Sequence, residues 1–382
     1  MCRLAMKTAS ERFSPYSVLE AMEAMREGYD GSGLGLLLRG VDFADFKYKP
    51  TDPILSGIAH SEAALYRLND IMQNKGFTLK YDHEFDVKPE MLEAHDRNRH
   101  KYFLRVYNQP GTWDSLPQNQ IDDKLMLTRL ELRENGIEND NDLTVFAFWP
   151  DVAIIKEVGW PLAVGGALGL SDNRLKSRIC MAQGRQNTNY GINLYACHPF
   201  FLQGIGTMTN GENTAFVPIK EYLSGLGHPG YVGYQSDSEV FAHILHYVTR
   251  QLQLPLEMYK HVITPLKSEE LANHPQGEFL LGLRNVCRRL IIDGPNCIMG
   301  SLPDETSILA MDTKKMRPAT IGGKPGEWAM ASEMCGVDAM IPKRDKSLDF
   351  QPMRENTVIV PAHRKEFVIW SQFDPYPLTQ AA

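Results

Sequence analysis

The chain has 382 residues, enough to bury a substantial core as one large domain or two ordinary ones. Its 43% hydrophobic and 23% charged content is that of an ordinary globular protein, and a net charge of -7 argues against a nucleic-acid footprint, which needs clustered Lys and Arg. Residues 160–170, the longest weakly polar stretch, are about half of the roughly 20 a membrane-spanning helix requires, and no apolar run follows Arg3 and Lys7 as in a signal peptide.

Taken in chain order, Cys2 opens a strand, Ser14-Pro15 starts a helix, and Val18, Ala21, Met22 and Met25 recur at helical spacing. Loop chemistry in Tyr29-Asp30-Gly31-Ser32-Gly33 stops that helix near Gly28, and 34–39 reads as a short buried strand. Residues 41–180 are expected as a large insertion within a single domain spanning 2–382. Inside it, 61–76 has helical periodicity, 101–107 alternates as a strand does, and 143–149 is another strand. Further on, 204–209 leads into an Asn210-Gly211 turn and 216–223 suits a helix. Ser236 is placed to N-cap the next helix, with Asp237 and Glu239 in its first turn and Val240, Ile244, Leu245 and Val248 as its apolar stripe. Strands are expected at 298–300, 307–311, 319–321, 357–360 and 367–370. This order has no steady βαβ rhythm, so layered sheets with helices outside are expected, not a doubly wound fold.

Six cysteines without a CxxC pair or framework spacing predict reduced thiols in the cytoplasm, and neither disulfides nor a zinc site. Of these, Cys2 has a chemistry of its own. Removal of the initiator Met would leave an α-amine with a pKa of about 7.7–8.0, able to serve as general base towards the thiol of the same residue. Further polar patches follow: Gly184-Arg185-Gln186-Asn187-Thr188, Thr209-Asn210-Gly211-Glu212-Asn213-Thr214 and Ser236-Asp237-Ser238-Glu239. Alone, Asn-Gly is a turn signal and Ser-Asp before an apolar run is a cap.

Together, in this order and with His198-Pro199 between the first two, they resemble the glutaminase domain of class II glutamine amidotransferases. Cys2 followed by a helix and the 29–35 loop resembles that family's start. Met311-Asp312, Arg317-Pro318-Ala319 and Ala331-Ser332-Glu333 are similar to its closing stations. The resemblance implies an α+β fold: a four-layer αββα sandwich of two mostly antiparallel sheets, of the N-terminal-nucleophile hydrolase type. It implies Cys2 as nucleophile, Asn210 and Gly211 as oxyanion hole, Arg185 and Thr188 as the clamp for a glutamine α-carboxylate, and Asp237 as partner of its α-ammonium. His198 is either a lining residue or a hydrogen-bonded structural histidine. Departures are Glu27 after Arg26 where the family carries Arg before its Gly-Tyr-Asp, Arg3 after the nucleophile, and Thr209 where His is common.

The long interval between Cys2 and Arg185 most resembles the glutaminase domain of glutamate synthase. The implied activity is hydrolysis of L-glutamine with ammonia passed to a separate, flavin-dependent synthase chain, the 382 residues leaving no room for a synthase barrel. No metal or flavin of its own is called for. The alternatives are a stand-alone amidohydrolase of another γ-glutamyl compound, or a silent scaffold.

Overall fold

The computed structural model describes residues 2–92, 99–186, 193–228, 230 and 236–376. Strand β1 (Arg3–Phe13) leads into helix α1 (Tyr16–Ala24), whose Val18, Leu19, Ala21 and Met22 are buried. Strand β2 (Leu34–Arg39) and the short β3 (Asp42–Phe43) follow. The chain then builds a separate unit: β4 (Pro53–Ala59), α2 (Glu62–Asn74), β5 (Thr78–Asp82), β6 (Lys101–Asn108), α3 (Gln118–Glu138) and β7 (Leu143–Pro150). It returns through β8 (Val152–Glu157), α4 (Pro161–Ala167), β9 (Leu175–Gly184), β10 (Phe200–Leu202) and β11 (Ile205–Gly211). Helices α5 (Phe216–Gly225), α6 (Glu239–His246), α7 (Met258–Ile263), α8 (Ser268–Ala272) and α9 (Gly277–Val286) come next, with a π turn over Tyr247–Gln251. The chain closes with β12 (Asn296–Ser301), β13 (Ser307–Met311), β14 (Thr320–Lys324), β15 (Glu327–Ala331), α10 (Met334–Met340), β16 (Asp345–Phe350), β17 (Asn356–Val360) and β18 (Val368–Ser371).

The first sheet runs β16-β14-β15-β1-β9-β2-β8, with β3 also paired to β9, and the second runs β10-β11-β12-β13-β17-β18. Their strand pairs are antiparallel. Alternation of side chains across a strand divides each sheet between two environments. In the second sheet, Met208, Cys297, Met299, Leu309 and Met311 join the core shared with the first sheet. Ile205, Ile298 and Ile308 point the other way, into a core made with α5, α6, α7 and α9. On the first sheet, a Cβ at Gly336 of α10 would lie 2.9 Å from that of Ala331, so Ala331 and its cross-strand partner Ala5 face an outer layer of helices. The result is helix, sheet, sheet, helix: the four-layer α+β sandwich that the sequence predicts.

Within the stretch expected as an insertion, Pro53–Pro150 form a further four-stranded sheet, β5-β6-β4-β7, carrying α2 and α3. The rest of that stretch is not separate, because β8 and β9 are strands of the first sheet, β9 lying between β1 and β2. Buried polar contacts weld the extra sheet on. Ser56 Oγ accepts from Ile154 N at 3.1 Å, and Arg99 makes a bidentate pair, 3.0 Å on each arm, with the buried Glu157 at the end of β8.

Many elements match the sequence expectations closely: α1, α2, α5, β2, β6, β7 and β13 lie where the sequence places them. Two local expectations change. Helix α6 begins at Glu239, its N-cap position is Ser238, and no side chain caps it; Ser236 Oγ instead accepts from Ser238 N at 3.3 Å. Asn210-Gly211 is no turn, since both residues continue β11 in register with Cys297 and Asn296.

Candidate active site

Where the two sheets meet at the start of β1 they leave a pocket of about 340 Å³. Its wall includes Cys2, Gln183, Arg185, His198, Asn210, Gly211, Asn213, Asp237 and Arg317. Sequence-distant segments deliver these residues, and each is fixed by a local device.

Cys2 precedes β1 and is anchored by its neighbours. Leu4 N donates to Ser332 Oγ at 3.0 Å, Ser332 N donates back to Leu4 O at 2.9 Å, and Arg3 pairs with Glu333 at 2.6 Å. The Ala331-Ser332-Glu333 station therefore holds the strand that follows Cys2. Cys2 Sγ receives Gln186 N–H at 3.5 Å. Burial raises the thiol pKa; the Gln186 N–H and the Arg185 charge oppose this, while Asp237 adds to it.

Arg185 follows β9 and is buried. Its N donates to Gly33 O at 2.8 Å and its carbonyl accepts from Ser32 Oγ at 3.3 Å, so the loop ahead of β2 grips it. Its Nη1 meets no hydrogen-bond partner among the described residues. Thr188, its expected helper, lies outside the described residues.

Asn210 and Gly211 end β11. Met208 faces the core between the sheets and Asn210 shares its face, so the Asn210 side chain turns towards the sheet that carries Cys2. Asn210 is 1% exposed, and its Nδ2 has no partner among the described residues. A Cβ at Gly211 would sit 2.0 Å from Pro295 O, a contact only glycine permits. Asp312 braces that neighbour strand by accepting from Asn296 N at 2.9 Å.

Asp237 lies two residues before α6. Its Oδ2 accepts from Asn213 N at 2.9 Å, its Oδ1 from Ser238 Oγ at 3.0 Å, and Ser238 Oγ in turn accepts from Thr209 Oγ1 at 2.8 Å. Burial raises its pKa against these bonds. His198 lines the pocket, yet Thr209 N donates to its Nδ1 at 2.9 Å, which places the neutral ring's proton on Nε2. Burial, then the Lys156 and Arg185 charges, hold its pKa well below the ordinary value, so His198 is a neutral brace for β11.

The structure thus brings Cys2, Arg185, Asn210, Gly211 and Asp237 to one pocket. Sequence reading passed over Gln183, and it assigned no role to Asn213, Thr209 and Ser238 within the polar patches. The first was legible as the residue two before Arg185 on a strand, had β9 been recognised. The others depend on tertiary contacts. Among the described residues no group of three His, Cys, Asp or Glu is placed to hold a metal ion, and no helix is long and apolar enough to cross a membrane.

The layers and the pocket define a class, a four-layer α+β sandwich of two antiparallel sheets with a thiol at the sheet end. Within that class the chain resembles class II glutamine amidotransferases. Among solved structures it is similar to the glutamine phosphoribosylpyrophosphate amidotransferase of B. subtilis complexed with ADP and GMP (TM-score 0.47, 12% identity, 97% of this chain and 50% of that one). It is also similar to an allosteric regulatory enzyme of purine biosynthesis (TM-score 0.48, 12% identity, 97% and 49%). A glutamine aminotransferase class-II domain protein from Silicibacter pomeroyi follows (TM-score 0.34, 12% identity, 58% and 85%). The chain spans about half the length of the first two. An uncharacterized protein of Archaeoglobus fulgidus is 24% identical over 353 residues, covering 92% of this chain and 89% of that protein. No protein-family model matches.

Proposed function

We propose that the chain is a glutaminase, hydrolysing L-glutamine to glutamate and ammonia through a thioester on Cys2. What supports the reading is a single pocket holding a thiol, a buried guanidinium and a buried side-chain amide whose donors are not all matched among the described residues, and a half-buried carboxylate. An amino acid's α-carboxylate matches the planar fork of Arg185, helped by Thr188, and its α-ammonium matches Asp237.

The chemistry follows from the charges. A thiol raised by burial is protonated at neutral pH, so a base is needed; the Cys2 α-amine, freed by removal of Met1, is that base. Sγ bonds to the carboxamide carbon as its proton passes to the amine, and the carbonyl oxygen becomes an oxyanion held by Asn210 Nδ2 and the Gly211 N–H. The ammonium returns the proton to the amide nitrogen as the C–N bond breaks and ammonia leaves. Water then adds to the thioester carbon, giving a proton to the amine. Collapse of that second intermediate releases glutamate and restores the thiol.

The test is intact mass before and after treatment with diazo-oxo-norleucine, an electrophilic glutamine mimic. Loss of Met1 and one adduct on Cys2 are expected; a retained Met1 with no adduct rejects the reading. The finer proposal is that the ammonia passes to a separate, flavin-dependent synthase chain, as in glutamate synthase. The large segment between Cys2 and Arg185, similar in extent to that enzyme's, supports it. Biosynthetic activity of the purified chain without any partner would refute it.

A further inference from the structure

Gln183 lies two residues before Arg185 on β9, so strand alternation puts both side chains on the face turned towards the second sheet. Arg3 pairs with Gly184 and Leu4 with Gln183, which sets Cys2 level with Arg185 and makes Gln183 its diagonal neighbour. Such neighbours are roughly 7–8 Å apart, within reach of a long side chain. Gln183 also lines the pocket with Cys2 and Asn210.

Its side chain is 0% exposed, and neither Oε1 nor Nε2 meets a partner among the described residues. A buried amide with both donor and acceptor unmatched is costly. Packing does not demand it, because the neighbouring inner-face positions across and along the strands are Leu4 and Met181, both apolar and fully buried.

A terminal carboxamide presents one acceptor oxygen and an NH2 with two donors. In the proposed reaction the oxygen is served by Asn210 Nδ2 and Gly211 N–H, and the NH2 needs an acceptor. Arg185 Nη1, Asn210 Nδ2 and Asn213 Nδ2 are all donors. Asp237 already accepts from Asn213 N and Ser238 Oγ and faces the α-ammonium. Glu212, a lining carboxylate just past the end of β11, is exposed. Gln183 is a fully buried neutral acceptor beside the nucleophile.

We propose that Gln183 is the specificity-determining residue for the carboxamide, its Oε1 accepting an N–H from the substrate's NH2. The inference rests on the glutaminase reading and adds what selects amide over ester. The same oxygen faces a carboxylate unfavourably, which favours departure of glutamate.

The test is Gln183→Met, which keeps chain length and removes both polar atoms. The ratio of kcat/KM for L-glutamine to that for L-glutamate γ-methyl ester, which has no N–H at the leaving group, is expected to fall about 10- to 100-fold. Diazo-oxo-norleucine also lacks that N–H, so it should still label Cys2 in the variant, and the unfolding temperature should hold or rise. If both substrates lose equally, or the ratio stays put, Gln183 does not read the amide and the glutaminase reading survives alone. A variant that no longer takes label while wild type does would make Gln183 structural and overturn the proposal. Wild type without label would sink both readings.

Discussion

Two polar regions, one part-buried and one buried, lie along the same strand, β1, and they are finished differently. Beside Thr8, Glu305 takes both Arg178 and Arg364: Arg178 Nε lies 2.9 Å from each carboxylate oxygen, Arg364 Nη2 lies 2.6 Å from Oε2, and Arg364 Nε reaches Thr8 Oγ1 at 2.6 Å. Burial alone would raise the Glu305 pKa, and the two guanidiniums overcome it, so the group is held below its ordinary value. None of these three side chains has a buried polar atom without a partner. At the other end, beside Cys2, Arg185 Nη1, Asn210 Nδ2 and both amide atoms of Gln183 lack one among the described residues. A satisfied buried cluster holds the sheets together; an unsatisfied one keeps its hydrogen bonds for something that arrives.

The contrast can be broken by substitution. Cys2→Ala should abolish glutamine hydrolysis, a loss beyond about 1,000-fold, with little change in the unfolding temperature; surviving turnover in that variant would remove the nucleophile from the argument. At the satisfied end, Glu305→Ala leaves two guanidiniums facing each other without their carboxylate. It should lower unfolding free energy by about 3 kcal/mol in denaturant titrations and leave Cys2 labelling by diazo-oxo-norleucine intact. Asn210→Ala should do the reverse, lowering kcat about 100- to 1000-fold while thermal stability holds, because no protein hydrogen bond of Nδ2 is lost. A collapse of stability in Asn210→Ala, with activity spared, would erase the distinction between the two regions.

A pH series sharpens it. His228 packs 5.1 Å from both His243 and His246, ring centre to ring centre, in the layer of helices behind the second sheet. Burial, then neighbouring histidines, push His228 down to about 4 and His246 to about 3. Both are neutral when folded and take a proton on unfolding below roughly pH 6.5. The unfolded state then binds more protons, so stability is full above that pH and falls as pH drops towards the folded values. From pH 7 to 5 the loss should be on the order of 3 kcal/mol, measurable by denaturant midpoints. Activity should fail differently. Asp237 must be ionised to hold an ammonium, and the amine base must be neutral, so kcat/KM rises with pH towards about 8. Stability and kcat/KM curves that superpose would show that the acid limb reports unfolding.

Much of this molecule was written locally. Val18, Ala21, Met22 and Met25 announce α1, because an apolar stripe at helical spacing leaves a periodic trace, and Val240, Ile244, Leu245 and Val248 announce α6 although all of that helix is buried. Strand β2 was legible as a short apolar run, but β8 and β9 were not: all of β8 and nearly all of β9 are buried, and a strand covered on both faces has little alternation to read. Missing β9 is what hid Gln183. Within 41–180 the elements α2, β6 and β7 were legible, but their assembly was not, since the extra sheet is held by α2 and α3 and by contacts to β8 that come from distant residues. Ser236 misled because Ser-Asp-Ser-Glu offers two cap positions, and the backbone uses the second without a cap bond.

The sequence by itself determined the chemical inventory: a thiol at the second position, Arg185, Asn210-Gly211 and Asp237, their order along the chain, and an α+β sandwich without βαβ rhythm. Only the tertiary structure decided which of these groups share a pocket, and which buried polar atoms are left unpaired within it. Pairing is a property of contacts between residues far apart in the chain. Arg39 of β2, for instance, donates across the sandwich to Gly204 O, and Asn213 N reaches Asp237 Oδ2 across a helix. Local sequence can place a donor on a face; it takes the packed sheets to say whether an acceptor is waiting there.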